Sequence, residues 1–268
     1  MPKLEILSRL PSGPARSTPL LFVHGAFCGA WIWDEKFLGW FADRGWAAHA
    51  VSLRGHGGSD GHEALPWHGL GDYVNDVVQA CERLGTMPVL IGHSMGGTVV
   101  QQALRRRTAP AAVLMASAPP HGLLESTIGL AFRDPWVFQQ LTLLCSFGPD
   151  LVDPEGIRRA MFSDRMPRSE IVRYEPKLQL ESRRVLLETM HWNPFPPVPM
   201  RGTPFQVLGA ERDLLVPPDQ VRSTARLMRT EAQFFPGMGH TMMLEPDWER
   251  VAEAVDGWLR KTLLAEAA

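Results

Sequence analysis

The sequence predicts an α/β protein in which a sheet of buried strands alternates with helices and is interrupted once by a helical insertion. Three observations carry that expectation. Short continuous apolar runs, Pro19–Val23, Val89–Ile91 and Ala111–Ser117, have the composition of strands covered on both faces, as in a parallel sheet. Amphipathic helical runs lie between them, among them Leu70–Leu84 with Tyr73, Val74, Val77, Val78, Cys81 and Leu84 on one side. From Pro119 to Met200 the pattern changes to short helical runs rich in Pro, Met, Phe and Trp, with no strand signal.

Bulk properties narrow the class. The chain has 268 residues, 45% of them hydrophobic, enough for one large α/β domain or a domain with an insertion. The formal net charge is -2, so nothing marks a nucleic-acid surface. Three widely spaced cysteines, Cys28, Cys81 and Cys145, fit reduced thiols in a cytoplasmic protein better than a disulfide frame. The start, Met1-Pro2-Lys3-Leu4-Glu5, lacks an apolar core with a cleavage site, so no signal peptide is expected. No run of about 18 apolar residues predicts a membrane span.

Taken in order, Lys3–Leu10 reads as an edge strand. Pro19–Val23 follows and ends in the loop His24-Gly25-Ala26-Phe27-Cys28-Gly29, a glycine-rich segment at the end of a buried strand, where open α/β sheets place ligands. His24 is read as an anchor of that loop and Cys28 as a residue lining or backing a pocket. Trp31–Arg44 reads as a helix closed by Gly45, and Trp46–Leu53 as a strand. In the next loop His56, His62 and His68 recur at intervals of six. That spacing fits neither a helix face nor a strand face, and no acid or cysteine cluster accompanies it, so a polar loop is favoured over a metal site.

The stretch Val89-Leu90-Ile91-Gly92-His93-Ser94-Met95-Gly96-Gly97 reads as strand, sharp turn and helix with a serine at the apex. It carries the G-x-S-x-G pattern of a nucleophile elbow, whose glycines leave room for a strained turn. The helix N-terminus aims free N–H groups at the same point. His93 is read as packing. After Ala111–Ser117 come helical candidates at 123–132, 135–147, 154–162, 168–174 and 180–190, then a proline-dense hinge, Asn193–Pro199. These predict a cap over the C-terminal edge of the sheet, with Trp136, Phe138, Leu143, Phe147, Met161, Met190 and Trp192 as candidate pocket lining beside the cap's own core. The expected division is a core of residues 1–118 and 201–268 around a cap of 119–200.

Thr203–Leu208 is the next strand, and Asp213 lies in the loop beyond it. Glu211 and Asp219 are weaker rivals for the same role, Asp219 falling in the first turn of a helix over Gln220–Met228. Gln233–Phe235 is the last strand, and His240 follows in a loop before a final helix, Trp248–Leu264. The order Ser94, Asp213, His240 suits acyl transfer. A serine hydroxyl is a poor nucleophile until a base takes its proton; His240 can be that base, and Asp213 can fix its tautomer. The N–H groups of Ala26, with Phe27 as the second choice, and of Met95 would receive the oxyanion.

With His24-Gly25, Arg54-Gly55-His56-Gly57-Gly58-Ser59, Gly92–Gly97, Gly209–Pro217 and Gly239-His240 before Glu245-Pro246, the sequence resembles the α/β-hydrolase superfamily over nearly its whole length. Within it the chain looks like small capped esterases and lysophospholipase- or monoacylglycerol-lipase-like proteins. The resemblance implies a mostly parallel eight-stranded sheet flanked by helices, the same triad, and Ala26 with Met95 as oxyanion donors. The expected reaction is hydrolysis of a carboxylic ester, thioester or lactone of an apolar small molecule or lipid, with Phe27, Trp136, Phe138 and Trp192 as candidate substrate contacts and with no cofactor and no metal expected. Dehalogenases and epoxide hydrolases of this fold carry aspartate at the elbow, and Ser94 argues against both. The single cap tyrosine, Tyr174, also departs from the paired cap tyrosines of epoxide hydrolases. Hydroxynitrile lyases, cofactor-free dioxygenases, perhydrolases and carbon–carbon bond hydrolases share the triad and stay open, as does a binding protein with vestigial activity.

Overall fold

A computed structural model describes residues 1–191 and 202–265. Seven strands form one sheet in the order β1-β3-β2-β4-β5-β6-β7, from β1 (Ile6–Arg9), β2 (Leu20–Val23), β3 (Ala48–Val51), β4 (Val89–His93), β5 (Ala112–Met115), β6 (Phe205–Ala210) and β7 (Ala232–Phe235). Only β1 runs antiparallel, pairing Ile6 with Val51; the other pairings are parallel. The seven strands lie where the sequence predicts strands. The eighth, implied by resemblance alone, is absent among the described residues.

Side chains alternate across each strand, so every strand feeds two cores. Leu20, Phe22, Ile91, Val113 and Met115 face one layer, which holds α1 (Trp31–Asp34), α2 (Phe37–Ala42) and α11 (Trp248–Ala265). Leu21, Val23, Leu90, Ala112 and Leu114 face the other, which holds α3 (Leu70–Leu84), α4 (Met95–Ala103) and α10 (Pro218–Leu227). Burial on both faces is why the runs are continuously apolar instead of alternating.

The helix expected over Trp31–Arg44 is two pieces. Lys36 breaks it with φ -143° and ψ -49°, and its ammonium donates to the carbonyl of Leu244. The break lets both Trp33 and Phe37 pack on Phe22, at ring separations of 4.9 and 6.2 Å. β6 also runs two residues beyond its predicted end, to Ala210.

Between β5 and β6 lie α5 (Leu124–Arg133), α6 (Pro135–Phe147), α7 (Pro154–Met161), α8 (Arg168–Tyr174) and α9 (Arg183–Met190). Their starts are written locally. Asp134 and Asp153 cap helices that begin with proline, and the Ser182 hydroxyl accepts the N–H of Val185. Leu130, Val137, Leu144, Ile157, Met161, Phe162 and Ile171 are buried in the same apolar cluster as Phe22 and Met115 of the sheet. The hinge Asn193–Pro199 and Trp192 lie outside the described residues.

Candidate active site

β4 is the central strand, and Ser94 follows its last residue. Ser94 sits at φ 52° and ψ -122°, a backbone conformation costly for a residue with a Cβ. The neighbourhood over-determines it. Ser94 N–H donates to Met115 O at 3.1 Å, and its carbonyl accepts from Gly97 and Ala118 at 3.0 and 3.1 Å. A Cβ on Gly96 would overlap the carbonyl oxygens of Val23 and His24, and one on Gly92 would lie 2.6 Å from Gly96 O. The elbow is therefore pressed against the end of β2. Ser94 is half-buried, and among the described residues its Oγ has no hydrogen-bond partner.

The loop after β2 meets the same serine. A Cβ on Gly25 would lie 3.0 Å from Ser94 Cβ. His24 anchors this loop as expected: its Nδ1–H donates to Gly25 O (2.8 Å) and its Nε2 accepts Leu53 N–H (3.0 Å). Those two bonds need a neutral ring, and burial, with the charge of nearby His56, pushes the pKa of His24 down to about 3. Neither Ala26 N–H nor Met95 N–H has an acceptor among the described residues. Phe27 N–H points instead at Glu181 Oε2, at 3.4 Å.

Asp213 and His240 come together from the loops after β6 and β7. His240 Nδ1 lies 2.8 Å from Asp213 Oδ2, with both side chains buried. Asp213 Oδ1 accepts the N–H groups of Leu215 and Val216 at 2.8 and 2.9 Å, which fixes the carboxylate. The rivals lie elsewhere: Glu211 is exposed and accepts Gly237 N–H, and Asp219 contacts Gln220 at the start of α10. His240 Nε2 has no protein partner among the described residues, so the ring keeps a free nitrogen.

Several residues of the site were not legible in advance. His93, read as packing, donates from Nε2 to the carbonyl of His240 at 3.0 Å, and the two rings lie 4.7 Å apart. Burial first, and then the charge of His240, push its pKa well down, so it is a neutral donor. Glu245 is buried and takes Gly239 N–H (3.1 Å), Ser163 N–H and the Ser163 hydroxyl (both 2.6 Å). Thr241 N–H and hydroxyl both reach Met161 O, at 2.8 and 2.5 Å. The end of α7 is thus bolted to the histidine loop.

The histidine series does not converge. His56 is fully buried and bonds Glu181, whereas His62 and His68 bond the carbonyls of Gly57 and Gly61. The expectation of a polar loop fails at His56, whose ring is sealed between His24 and Tyr73. Of the candidate substrate contacts, Phe27 is half-buried with φ +64°, and Trp136 and Phe138 pack half-buried on the apolar core, Trp136 beneath Arg159. Phe147 and Met190 are exposed at 61% and 36%, which places them on the surface and not in a lining. Two surface hollows of about 380 and 500 Å³, around Arg54 and Asn75 and around Gln102 and Leu187, do not touch Ser94.

Comparison with known proteins agrees with this architecture. Residues 20–254 match the model of the alpha/beta hydrolase family. Over 157 residues the chain is 30% identical to epoxide hydrolase 3 of Xenopus tropicalis, a match spanning 56% of this chain and 42% of that protein. Among solved structures it is similar to a thermophilic esterase from Thermogutta terrifontis (TM-score 0.70, 20% identity, covering 97% of this chain and 93% of that one). It is also similar to a monoacylglycerol lipase from Paleococcus ferrophilus (TM-score 0.67, 18% identity, 97% and 99%) and to an esterase from Exiguobacterium antarcticum (TM-score 0.74, 14% identity, 97% and 96%). At these identities the structural likeness is one of fold. The family match covers most of the chain, and the chain belongs to the alpha/beta hydrolase family.

Proposed function

We propose that the protein is a serine hydrolase that cleaves a carboxylic ester, thioester or lactone of an apolar small molecule or lipid through an acyl-Ser94 intermediate. The observations that carry the reading are the buried 2.8 Å bond from His240 to Asp213 and a strained serine at the elbow whose hydroxyl has no hydrogen-bond partner among the described residues. An ionised Asp213 can only accept, so the proton of neutral His240 sits on Nδ1 and Nε2 keeps its lone pair. Nε2 takes the Ser94 proton as Oγ attacks the carbonyl carbon. The free N–H groups of Ala26 and Met95 receive the negative charge on the former carbonyl oxygen, charge that exists only after attack. Collapse breaks the bond to the leaving oxygen, which takes the proton from His240. Water then repeats the sequence on the acyl-enzyme, releasing the acid and restoring Ser94.

The relative named an epoxide hydrolase raises ring opening as a second reaction, but Ser94 disfavours it. An aspartate nucleophile forms an ester that water can hydrolyse at its carbonyl. A serine would form an ether, with no carbonyl for water to attack. We take residues 119–200 as a cap over the C-terminal edge of the sheet, with Phe27, Trp136, Phe138 and Trp192 bordering the substrate. The three free thiols fit a cytoplasmic setting.

Short p-nitrophenyl esters test the reaction. Wild type should turn them over, Ser94→Ala should lose all but a trace, and a fluorophosphonate should label Ser94 alone. Folded wild-type protein that neither hydrolyses esters nor takes the label would remove this reading. A panel of acyl chain lengths would then identify the preferred substrate.

A further inference from the structure

One buried charge cluster outside the triad reaches the loop beside Ser94. Glu181 lies between α8 and α9, in the helical segment, yet three of the four groups that meet its carboxylate, Tyr73, His56 and Phe27, come from the first part of the chain. Oε1 accepts the Tyr73 hydroxyl and Ser182 N–H, both at 2.6 Å. Oε2 lies 3.1 Å from His56 Nε2 and 3.4 Å from Phe27 N. The other nitrogen of His56 faces the carbonyl of Arg54 at 3.1 Å. Both ring nitrogens therefore face acceptors, and a ring that donates from both is an imidazolium. The pair is sealed, with no side-chain exposure on either partner. An ion pair in such a place is costly to desolvate and is weak evidence of a stabilising role.

What it positions is the turn at Phe27. This residue has φ +64°, a left-handed conformation that a side chain disfavours, immediately after Ala26. The segment 179–181 grips it from both sides. Gln179 N–H donates to Phe27 O at 3.0 Å, and Glu181 receives Phe27 N–H. The Gln179 amide also bridges the neighbouring loop, accepting Gly57 N–H (3.0 Å) and donating to Gly55 O (2.8 Å). With Phe27 N–H occupied, the adjacent Ala26 N–H has no acceptor among the described residues.

We propose that Glu181 is a positioning residue that, through Phe27, fixes the loop Gly25–Phe27 so that Ala26 N–H points at the oxygen of the tetrahedral intermediate on Ser94. The inference rests on the serine-hydrolase reading above. The charge of His56 completes the device, because an unpaired carboxylate this close to the loop would oppose the developing oxyanion. The cap therefore contributes part of the reaction machinery in addition to covering the substrate.

The test compares wild type, Glu181→Gln and Tyr73→Phe, the second variant removing only one bond to Glu181 and sparing the ion pair. Each is measured for folding by thermal melting, for kcat and KM on p-nitrophenyl butyrate, and for inhibition by an alkyl trifluoromethyl ketone, whose serine adduct carries the same oxyanion. Glu181→Gln should lower kcat about 10- to 100-fold, a partial loss of one donor's effect, with KM within about twofold. Its affinity for the ketone should fall in parallel with kcat/KM, because both report the oxyanion and not the bound ester. Tyr73→Phe should show the same split at smaller size. If Glu181→Gln does not fold, Tyr73→Phe alone decides. Unchanged kcat and ketone affinity in the folded variants, or a rise in KM with kcat intact, overturns the proposal while wild-type turnover leaves the hydrolase reading standing. A wild type inert to both ester and fluorophosphonate overturns both.

Discussion

The carboxylate of Asp213 is held by three donors, two backbone N–H groups on Oδ1 and the imidazole on Oδ2. An amide in its place would keep the shape and reverse the bond, presenting an NH₂ group to His240 and forcing the wrong tautomer. Asp213→Asn should therefore cost about 10⁴ in kcat with little change in KM. Glu211→Gln and Asp219→Asn, whose carboxylates meet Gly237 and Gln220 among the described residues, should stay within about twofold in the same assay. If Asp219→Asn were the inactive one, the acid would be misassigned. These three carboxylates also show what a sequence reveals about a site. The places of Ser94, Asp213 and His240 are legible because each lies in a turn or loop that follows a strand, in the order of the fold family the sequence resembles. Glu181 and Glu245 are not. Their partners lie 125 and 82 residues away, at His56 and Ser163, so neither contact can be read from the residues around it, although Glu245-Pro246 belongs to the family resemblance. His93 fails for another reason: its neighbour Ser94 suggested a packing role, whereas its partner is the backbone of His240.

At the scale of the element, the strand–turn–helix around Ser94 depends on the absence of a few methyl groups. A Cβ on Gly96 would meet backbone oxygens of β2, which cannot swing aside as a side chain could. Gly96→Ala should destabilise by about 1–3 kcal/mol, the usual cost of overpacking, and lower Tm by several degrees. Gly71, in the first turn of α3, has nothing within 4 Å of where its Cβ would be. Gly71→Ala should be neutral or stabilise by up to about 1 kcal/mol, because alanine is the better helix former. Thermal melts of the two variants check both signs; equal losses would mean that crowding at the elbow does not decide its stability. The elements themselves were legible where local rules act. Among the described residues five α-helices lie between β5 and β6, as the sequence predicts, because aspartate caps, prolines at first positions and apolar periodicity mark them locally. The break at Lys36 was not, because it follows from fitting Trp33 and Phe37 onto one ring of the sheet, a tertiary demand.

For the whole molecule, the helical segment and the sheet share one apolar core and two buried carboxylates, Glu181 on the first loop and Glu245 on the last. The Glu181–His56 pair makes that union depend on pH in a direction that can be worked out. Burial disfavours the charged ring of His56, but the carboxylate outweighs it, and the pKa is raised above the ordinary 6.5. Burial likewise disfavours the carboxylate, but His56, Tyr73 and Ser182 outweigh it, and the pKa of Glu181 is held below 4.5. A raised histidine stabilises fully below its unfolded value, and that stability is lost as pH rises through the folded value. A lowered carboxylate stabilises above its unfolded value, and that stability is lost as pH falls. The pair is therefore at full strength between about pH 4.5 and 6.5 and fades on the alkaline side. His24 and His93, buried and neutral, act in the opposite sense and weaken the fold as pH falls below 6.5. They are present in wild type and in Glu181→Gln alike and largely cancel in the difference between the two. The Tm difference should thus be largest near pH 5.5–6.5, where wild type has its ion pair and the variant does not. It should shrink as pH rises above 6.5 through the raised value of His56, because wild type then buries an unpartnered carboxylate and the variant a neutral amide. Melts at half-unit steps would follow it, and a difference that grows as pH rises above 6.5 would contradict the ion pair.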